Sequence, residues 1–221
     1  MKKTFLFMIT VSVLITACNS GGKSSVVTVA DVGGNPDGVT VTDSGNIYIT
    51  DIASGEVIQV EEDGAAVVVA DLDSELAAVI HPDGITSVSN GTSEILYVTD
   101  TGTGAGDGSI IQIDPATGTV TTIVDDTSLD TPTGIAADSE GNLYVADQGT
   151  GDVYKIEVDE NGSVVGTPQS LTDGVTGADL EEPHGLTLIT NEDNSITLYT
   201  TDQGANSNNI VQINLSDTGT V

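Results

Sequence analysis

A single unit recurs four times along this chain, and a repeat of that length dictates an array of stacked units in place of one central core. Each copy opens on a Pro-x-Gly step: Pro36-Asp37-Gly38, Pro82-Asp83-Gly84, Pro132-Thr133-Gly134 and Pro183-His184-Gly185. The steps lie 46, 50 and 51 residues apart. After each comes a short alternating run, a polar turn and a second run ending in Tyr-x-x-Asp. Those endings fall at Tyr48 and Asp51, Tyr97 and Asp100, Tyr144 and Asp147, and Tyr199 and Asp202. A third run follows every time: Val57-Ile58-Gln59-Val60, Ile110-Ile111-Gln112-Ile113, Val153-Tyr154-Lys155-Ile156 and Ile210-Val211-Gln212-Ile213.

The runs are rich in Val, Ile, Thr and Tyr and are bounded by Gly, Asn, Asp and Ser, which is the pattern of short strands separated by turns. Asp43-Ser44-Gly45-Asn46 and Asp138-Ser139-Glu140-Gly141-Asn142 supply turn residues that tolerate positive φ. A fourth strand per unit is expected at residues 65–70, 120–124 and 164–171. No stretch after the N-terminus carries sustained apolar residues at helical spacing, so helix content should be minimal. Four antiparallel strands per radially repeated unit form a propeller blade, and the expected fold class is an all-β β-propeller.

The residues also resemble the NHL repeat. Its pattern Pro-x-Gly-Ile-x-x-Asp-x-x-Gly-Asn-Leu-Tyr-Val-x-Asp stands almost intact at residues 132–147, and residues 36–51 follow it nearly as well. The second and fourth copies depart at the turn, with Ser89-Asn90-Gly91-Thr92 and Asn191-Glu192-Asp193-Asn194. The resemblance covers residues 26–213 and implies a relation to propellers of the senescence marker protein/gluconolactonase type, which usually carry six blades. Residues 26–30 are expected as an outermost strand. Two arrangements accommodate it: a four-bladed ring closed by that strand, or four blades of a six-bladed propeller. The second is favoured, with residues 26–221 forming a C-terminally truncated array.

The N-terminus has the features of an export signal: Lys2 and Lys3, then an apolar run from Phe5 to Ile15, too short for a stable span. It ends in Ile15-Thr16-Ala17-Cys18, which resembles the lipobox of bacterial lipoproteins. The resemblance implies cleavage after residue 17, acylation of Cys18 and a tether over residues 18–25. Membrane attachment would come through acyl chains alone, placing the protein at the cell envelope, facing periplasm or exterior. Without residues 1–17 the chain has 34 acids against Lys23 and Lys155, a formal charge of −32 and no arginine. Such a surface repels phosphate backbones and anionic headgroups, so nucleic acid is not an expected partner. The expected partner is a protein or a small-molecule ligand.

Little in the chain points to catalysis. It has no Gly-x-Ser-x-Gly, a single cysteine committed to lipidation, and two histidines, His81 and His184. The glycine-rich segment from Gly102 to Gly108 lacks the Lys-Ser/Thr of a phosphate loop. It is expected to lengthen a hairpin, with a calcium loop as the alternative. Asp51, Asp100, Asp147 and Asp202 end equivalent strands and are expected to accept backbone N–H bonds from the following turn. The tyrosines of the same motif should pack between blades, since the exported part contains no Phe or Trp.

The residue between Pro and Gly varies from copy to copy and lies at the mouth of an innermost strand. Asp37, Asp83, Thr133 and His184 should therefore converge on the rim of the central channel. In the gluconolactonase-type family, residues at this kind of position help hold a divalent metal for lactone hydrolysis, and in NHL-containing amidating lyases a Pro-His histidine holds zinc. The resemblance thus implies a candidate calcium, manganese or zinc site at Asp37, Asp83 and His184. The gluconolactonase Pro-Asn-Gly and its acidic N-terminal ligand motif are missing. Two functions follow: a non-catalytic binding or scaffold module, or a metal-dependent lactonase-like hydrolase or lyase.

Overall fold

The computed structural model describes residues 28–89, 93–125, 127–173, 180–205 and 208–215. The expected export signal, Cys18, residues 19–27 and the turn at Asn90-Gly91-Thr92 lie outside them. Within them the repeats become four antiparallel sheets. Blade one is β1 (Pro36–Val41), β2 (Ile47–Asp51), β3 (Glu56–Val60) and β4 (Ala66–Asp71). Blade two is β5 (Pro82–Ser89), β6 (Glu94–Asp100), β7 (Ser109–Asp114) and β8 (Thr119–Val124). Blade three is β9 (Pro132–Ala137), β10 (Leu143–Asp147), β11 (Asp152–Val158) and β12 (Val164–Ser170). Blade four has three strands among the described residues, β13 (Pro183–Thr190), β14 (Ile196–Asp202) and β15 (Asn209–Leu215). Each sheet pairs its strands in sequence order, and the whole is a β-propeller array.

The repeat pattern explains the strand order. Proline opens β1, β5, β9 and β13, where a strand's first residue needs no N–H in the ladder. Directly after it the register shifts, between Pro36 and Val39, Pro82 and Ile85, and Pro183 and Leu186. This bulge re-aims the side chain between Pro and Gly. The innermost strands of successive blades lie side by side, β1 on β5, β5 on β9 and β9 on β13.

Each boundary between blades has its own apolar cluster. Tyr48 and Val57 of blade one meet Ile85, Leu96, Val98, Ile111 and Ile113 of blade two. Tyr97 and Ile110 meet Ile135, Leu143, Val145 and Ile156 of blade three. Tyr144 and Val153 meet Leu198, Ile213 and Leu215 of blade four. The motif tyrosines of blades one to three are therefore inter-blade packing, as expected. An array held by neighbour-to-neighbour clusters gains its stability boundary by boundary.

One expectation is corrected: of the strand expected at 26–30, residues 28–30 carry no strand pairing. Helix content is minimal, as expected, with one short helix, α1 (Leu72–Leu76), joining blades one and two. Asp71 caps it by accepting from the Ser74 N–H at 3.0 Å, and Leu72 is buried against the first apolar cluster.

The charge predicts how this array responds to salt. Repulsion among 34 acids opposes compaction, and the screening length falls from about 10 Å at 0.1 M salt to about 3 Å at 1 M. The melting temperature is expected to rise by roughly 5 °C or more between low and molar NaCl. A melting temperature indifferent to salt would place the acids too far apart to repel effectively.

Candidate functional site

The candidate site is built on the same contacts that stack the blades. Thr50, one residue before the motif Asp51, accepts from the Gly38 N–H at 2.8 Å and donates to the Asp83 carbonyl at 2.5 Å. Thr99 repeats this one blade on, accepting from Gly84 N–H at 2.8 Å and donating to the Thr133 carbonyl at 2.6 Å. Each threonine thus ties the Pro-x-Gly step of its own blade to that of the next. The glycine is required at this point. A Cβ on Gly38, Gly84 or Gly134 would sit under 3.0 Å from the carbonyl oxygen of Asp83, Thr133 or His184 respectively.

Blade three solves the problem differently. Ala146 stands where the other copies carry threonine, and Thr133, between Pro and Gly, supplies the hydroxyl. Its Oγ1 lies 3.3 Å from the carbonyls of Ala146, Pro183 and His184. Thr133 is 2% exposed and is a structural tie at the boundary with blade four. Of the four residues expected on the channel rim, this one faces the interior of the stack.

The other three share an electrostatic environment. The Asp83 carboxyl is pushed up to about 6, first by partial burial and then by the Asp37 carboxylate, with His184 opposing the rise. Asp83 of blade two thus senses a residue of blade one and another of blade four. Among the described residues, however, no three His, Cys, Asp or Glu side chains are grouped so as to hold a metal ion.

The motif aspartates hold the loops that deliver the Pro-x-Gly steps. Asp147 accepts from the N–H groups of Asp130, Thr131, Gly149 and Thr150 at 2.7 to 3.2 Å. Asp51 accepts from Asn35, Ala53 and Ser54, Asp100 from His81 and Gly102, and Asp202 from Glu181 and Glu182. Each carboxylate clamps the loop before an innermost strand; those of Asp51, Asp100 and Asp147 also hold the turn after their own strand. The structural role expected for them is what they perform. His81 lies outside the channel set, its Nδ1 2.8 Å from the Gly102 carbonyl. The segment from Gly102 to Gly108 lengthens the β6–β7 connection and is held by a Gly106 N–H bond to Asp130 at 2.6 Å.

A feature with no motif behind it lies at the opposite end of the strands. A cleft of about 700 Å³ opens between blades one and two, lined in part by Asn46, Tyr48, Gln59 and Glu94. Gln59 and Glu94 both reach toward the Asn46 side chain there.

Comparison with known proteins agrees with this architecture. Residues 123–155 match a family described as a beta-propeller repeat (SBBP). No protein of curated function matches the chain in sequence. Among solved structures, a gluconolactonase from Xanthomonas campestris superimposes with a TM-score of 0.64 at 20% identity, covering 87% of this chain and 62% of that one. An auxiliary nutrient binding protein from Bacteroides ovatus gives 0.63 at 16% identity, covering 86% and 47%. A virginiamycin B lyase from Staphylococcus aureus gives 0.53 at 14% identity, covering 86% and 59%. The chain therefore spans less than two thirds of the length of each. These likenesses establish the fold, which is shared by enzymes and binding proteins alike.

Proposed function

We propose that the protein is an exported, lipid-anchored propeller that acts as a binding or scaffold module at the cell envelope. One observation carries the reading. Of the four equivalent channel positions, Thr133 is buried and consumed by the inter-blade tie, so the column serves the stacking of the blades in at least one copy and leaves Asp37, Asp83 and His184 as its variable members. The basic start, the apolar run and the lipobox-like Ile15-Thr16-Ala17-Cys18 support export and acylation at Cys18. The strongly acidic composition supports attachment by acyl chains, since the folded surface is repelled by anionic headgroups.

A second reading, a divalent-metal-dependent lactonase-like hydrolase or lyase, is favoured by Asp83. A carboxyl pushed up to about 6 exchanges protons near neutral pH, as a general acid or base requires. Titration with calcium, manganese and zinc separates the two. The scaffold reading expects wild type, His184→Ala, His81→Ala and the Asp37→Asn/Asp83→Asn double variant to behave alike, with no affinity tighter than about millimolar. Tight binding lost in His184→Ala and in the double variant but kept in His81→Ala would overturn it for the enzymatic reading. That affinity would also fall as pH drops through about 6.5, because a histidine ligand must be neutral.

A further inference from the structure

The motif tyrosines of blades one to three are all buried, and their hydroxyls meet different fates. Tyr97 Oη accepts from Gln112 Nε2 at 3.2 Å, and the same Nε2 donates to the Gly162 carbonyl of blade three at 3.1 Å. Tyr144 Oη donates to Asp138 Oδ2 at 3.1 Å. Tyr48 is 3% exposed, yet its hydroxyl has no hydrogen-bond partner among the described residues. A buried hydroxyl left in that state is costly, and such groups are few in folded proteins.

The two boundaries differ in the turn that closes them. Blade three joins β11 to β12 through residues 159–163, and that turn carries the Gly162 carbonyl onto Gln112. Blade two joins β7 to β8 through residues 115–118, one residue fewer, and Pro115 stands in the wall of the cleft between blades one and two. Gln59, the counterpart of Gln112, keeps only a long contact of 3.5 Å from its Nε2 to Asn46 Oδ1. Its Oε1 accepts no hydrogen bond among the described residues.

Tyr48 and Gln59 both line that cleft, whose volume of about 700 Å³ is that of a small-molecule site. The Tyr48 hydroxyl faces its acidic side: burial first, then the Glu94 and Glu61 carboxylates, raise its pKa. Glu94 is held in the wall by the Ser44 N–H at 3.3 Å, the Ser44 hydroxyl and Asn46 Nδ2 at 3.1 Å. Asp43 adds a second carboxylate to the lining. No basic side chain balances them. Among the described residues the one lysine, Lys155, lies in blade three and pairs with Glu157 at 3.1 Å.

We propose that this cleft binds a small organic amine, whose ammonium donates to Tyr48 Oη and Gln59 Oε1 while Glu94 and Asp43 oppose its charge. The unpaired oxygens set the chemistry, because they are acceptors in a wall of negative charge. An ammonium matches both features, and a carboxylate or phosphate is repelled. A neutral alcohol fills the hydrogen bonds but gains nothing from the two carboxylates. The cleft lies at the far end of the strands from the Pro-x-Gly steps, so the proposal stands whichever reading of the channel holds.

The test titrates the full chain with benzylamine, benzyl alcohol and benzoate, which share a ring and differ in their polar end. The side-chain amide resonances of Asn46 and Gln59 report binding in about 0.15 M NaCl, where diffuse attraction is screened. Benzylamine is expected to saturate with a Kd of about a millimolar or below, at least about tenfold tighter than the other two. Tyr48→Phe and Glu94→Gln should each weaken it about fivefold or more. Tyr97→Phe, whose hydroxyl the protein already uses, should bind as wild type does. Tyr48→Phe should melt no lower than wild type, since it removes no hydrogen bond from the ligand-free protein. Benzyl alcohol binding as tightly as benzylamine would overturn the proposal in favour of a neutral hydroxyl ligand. Equal benzylamine affinity in wild type, Tyr48→Phe and Glu94→Gln would overturn it as diffuse attraction to an acidic surface, and so would a failure to saturate below about 10 mM.

Discussion

Replacing Gly134 with alanine is expected to destabilise the protein by about 3 kcal/mol, at the upper end of what overpacking costs. The added Cβ would fall under 3.0 Å from the His184 carbonyl oxygen and 2.7 Å from the Leu186 nitrogen. Both are backbone atoms of a strand already fixed by the Thr133 bonds, so neither can swing aside as a side chain would. Relief therefore requires blades three and four to separate, which exposes the cluster containing Tyr144, Val153 and Leu198. A loss of that size is a large part of the stability an ordinary domain possesses. Urea unfolding of Gly134→Ala and Gly185→Ala makes the comparison. Gly185→Ala is expected to stay within about 0.5 kcal/mol of wild type in the 221-residue chain. Equal midpoints for all three proteins would show that the boundary is far looser than the tie at Thr133 requires.

The other large effect is expected at Asp147. Its carboxylate is fully buried and accepts four backbone N–H bonds, two from the loop entering blade three and two from the turn after β10. Asp147→Ala leaves four donors with no partner in a space that closes around a small side chain. At about 1 kcal/mol for each donor left without a bond, the loss is roughly 3 to 4 kcal/mol. Asp147→Asn keeps one acceptor oxygen and is expected to lose about half as much. Amide hydrogen exchange locates the effect: the Asp130, Thr131, Gly149 and Thr150 amides should open first. Unchanged protection at these amides in Asp147→Ala would mean that the turn is held by other contacts.

Much of this fold was legible because the strands repeat. Pro-x-Gly and Tyr-x-x-Asp recur at fixed offsets, and each recurrence excludes an alternative register for the others. The roles of the aspartates and tyrosines followed from the same logic, since a residue present in every blade serves what every blade needs. The channel rim was harder to read. Sequence places Thr133 in the same column as Asp37, Asp83 and His184, and nothing in that column marks it as buried. The signal lay thirteen residues on, where Ala146 replaces the threonine found before Asp51, Asp100 and Asp202. One hydroxyl per boundary is conserved in space while moving between strands, and only coordinates bring the two positions together. Helix α1 was missed because five residues hold too few turns to show a periodicity.

The coupling of Asp37, Asp83 and His184 is the central claim about this molecule's site, and it is open to direct measurement. Side-chain carboxyl resonances of Asp83 should titrate near pH 6, above the ordinary value of 3.8. Asp37→Asn removes a like charge and should bring that midpoint down; His184→Ala removes the opposing influence and should move it up. Because the folded value is raised, the protonated carboxyl stabilises the fold below about pH 4. That contribution is lost as pH rises through about 6. Asp83→Asn should therefore gain stability over wild type above pH 6 and match it in acid. An Asp83 that titrates near 4 and responds to neither substitution would contradict the coupling and remove the observation that favours the enzymatic reading.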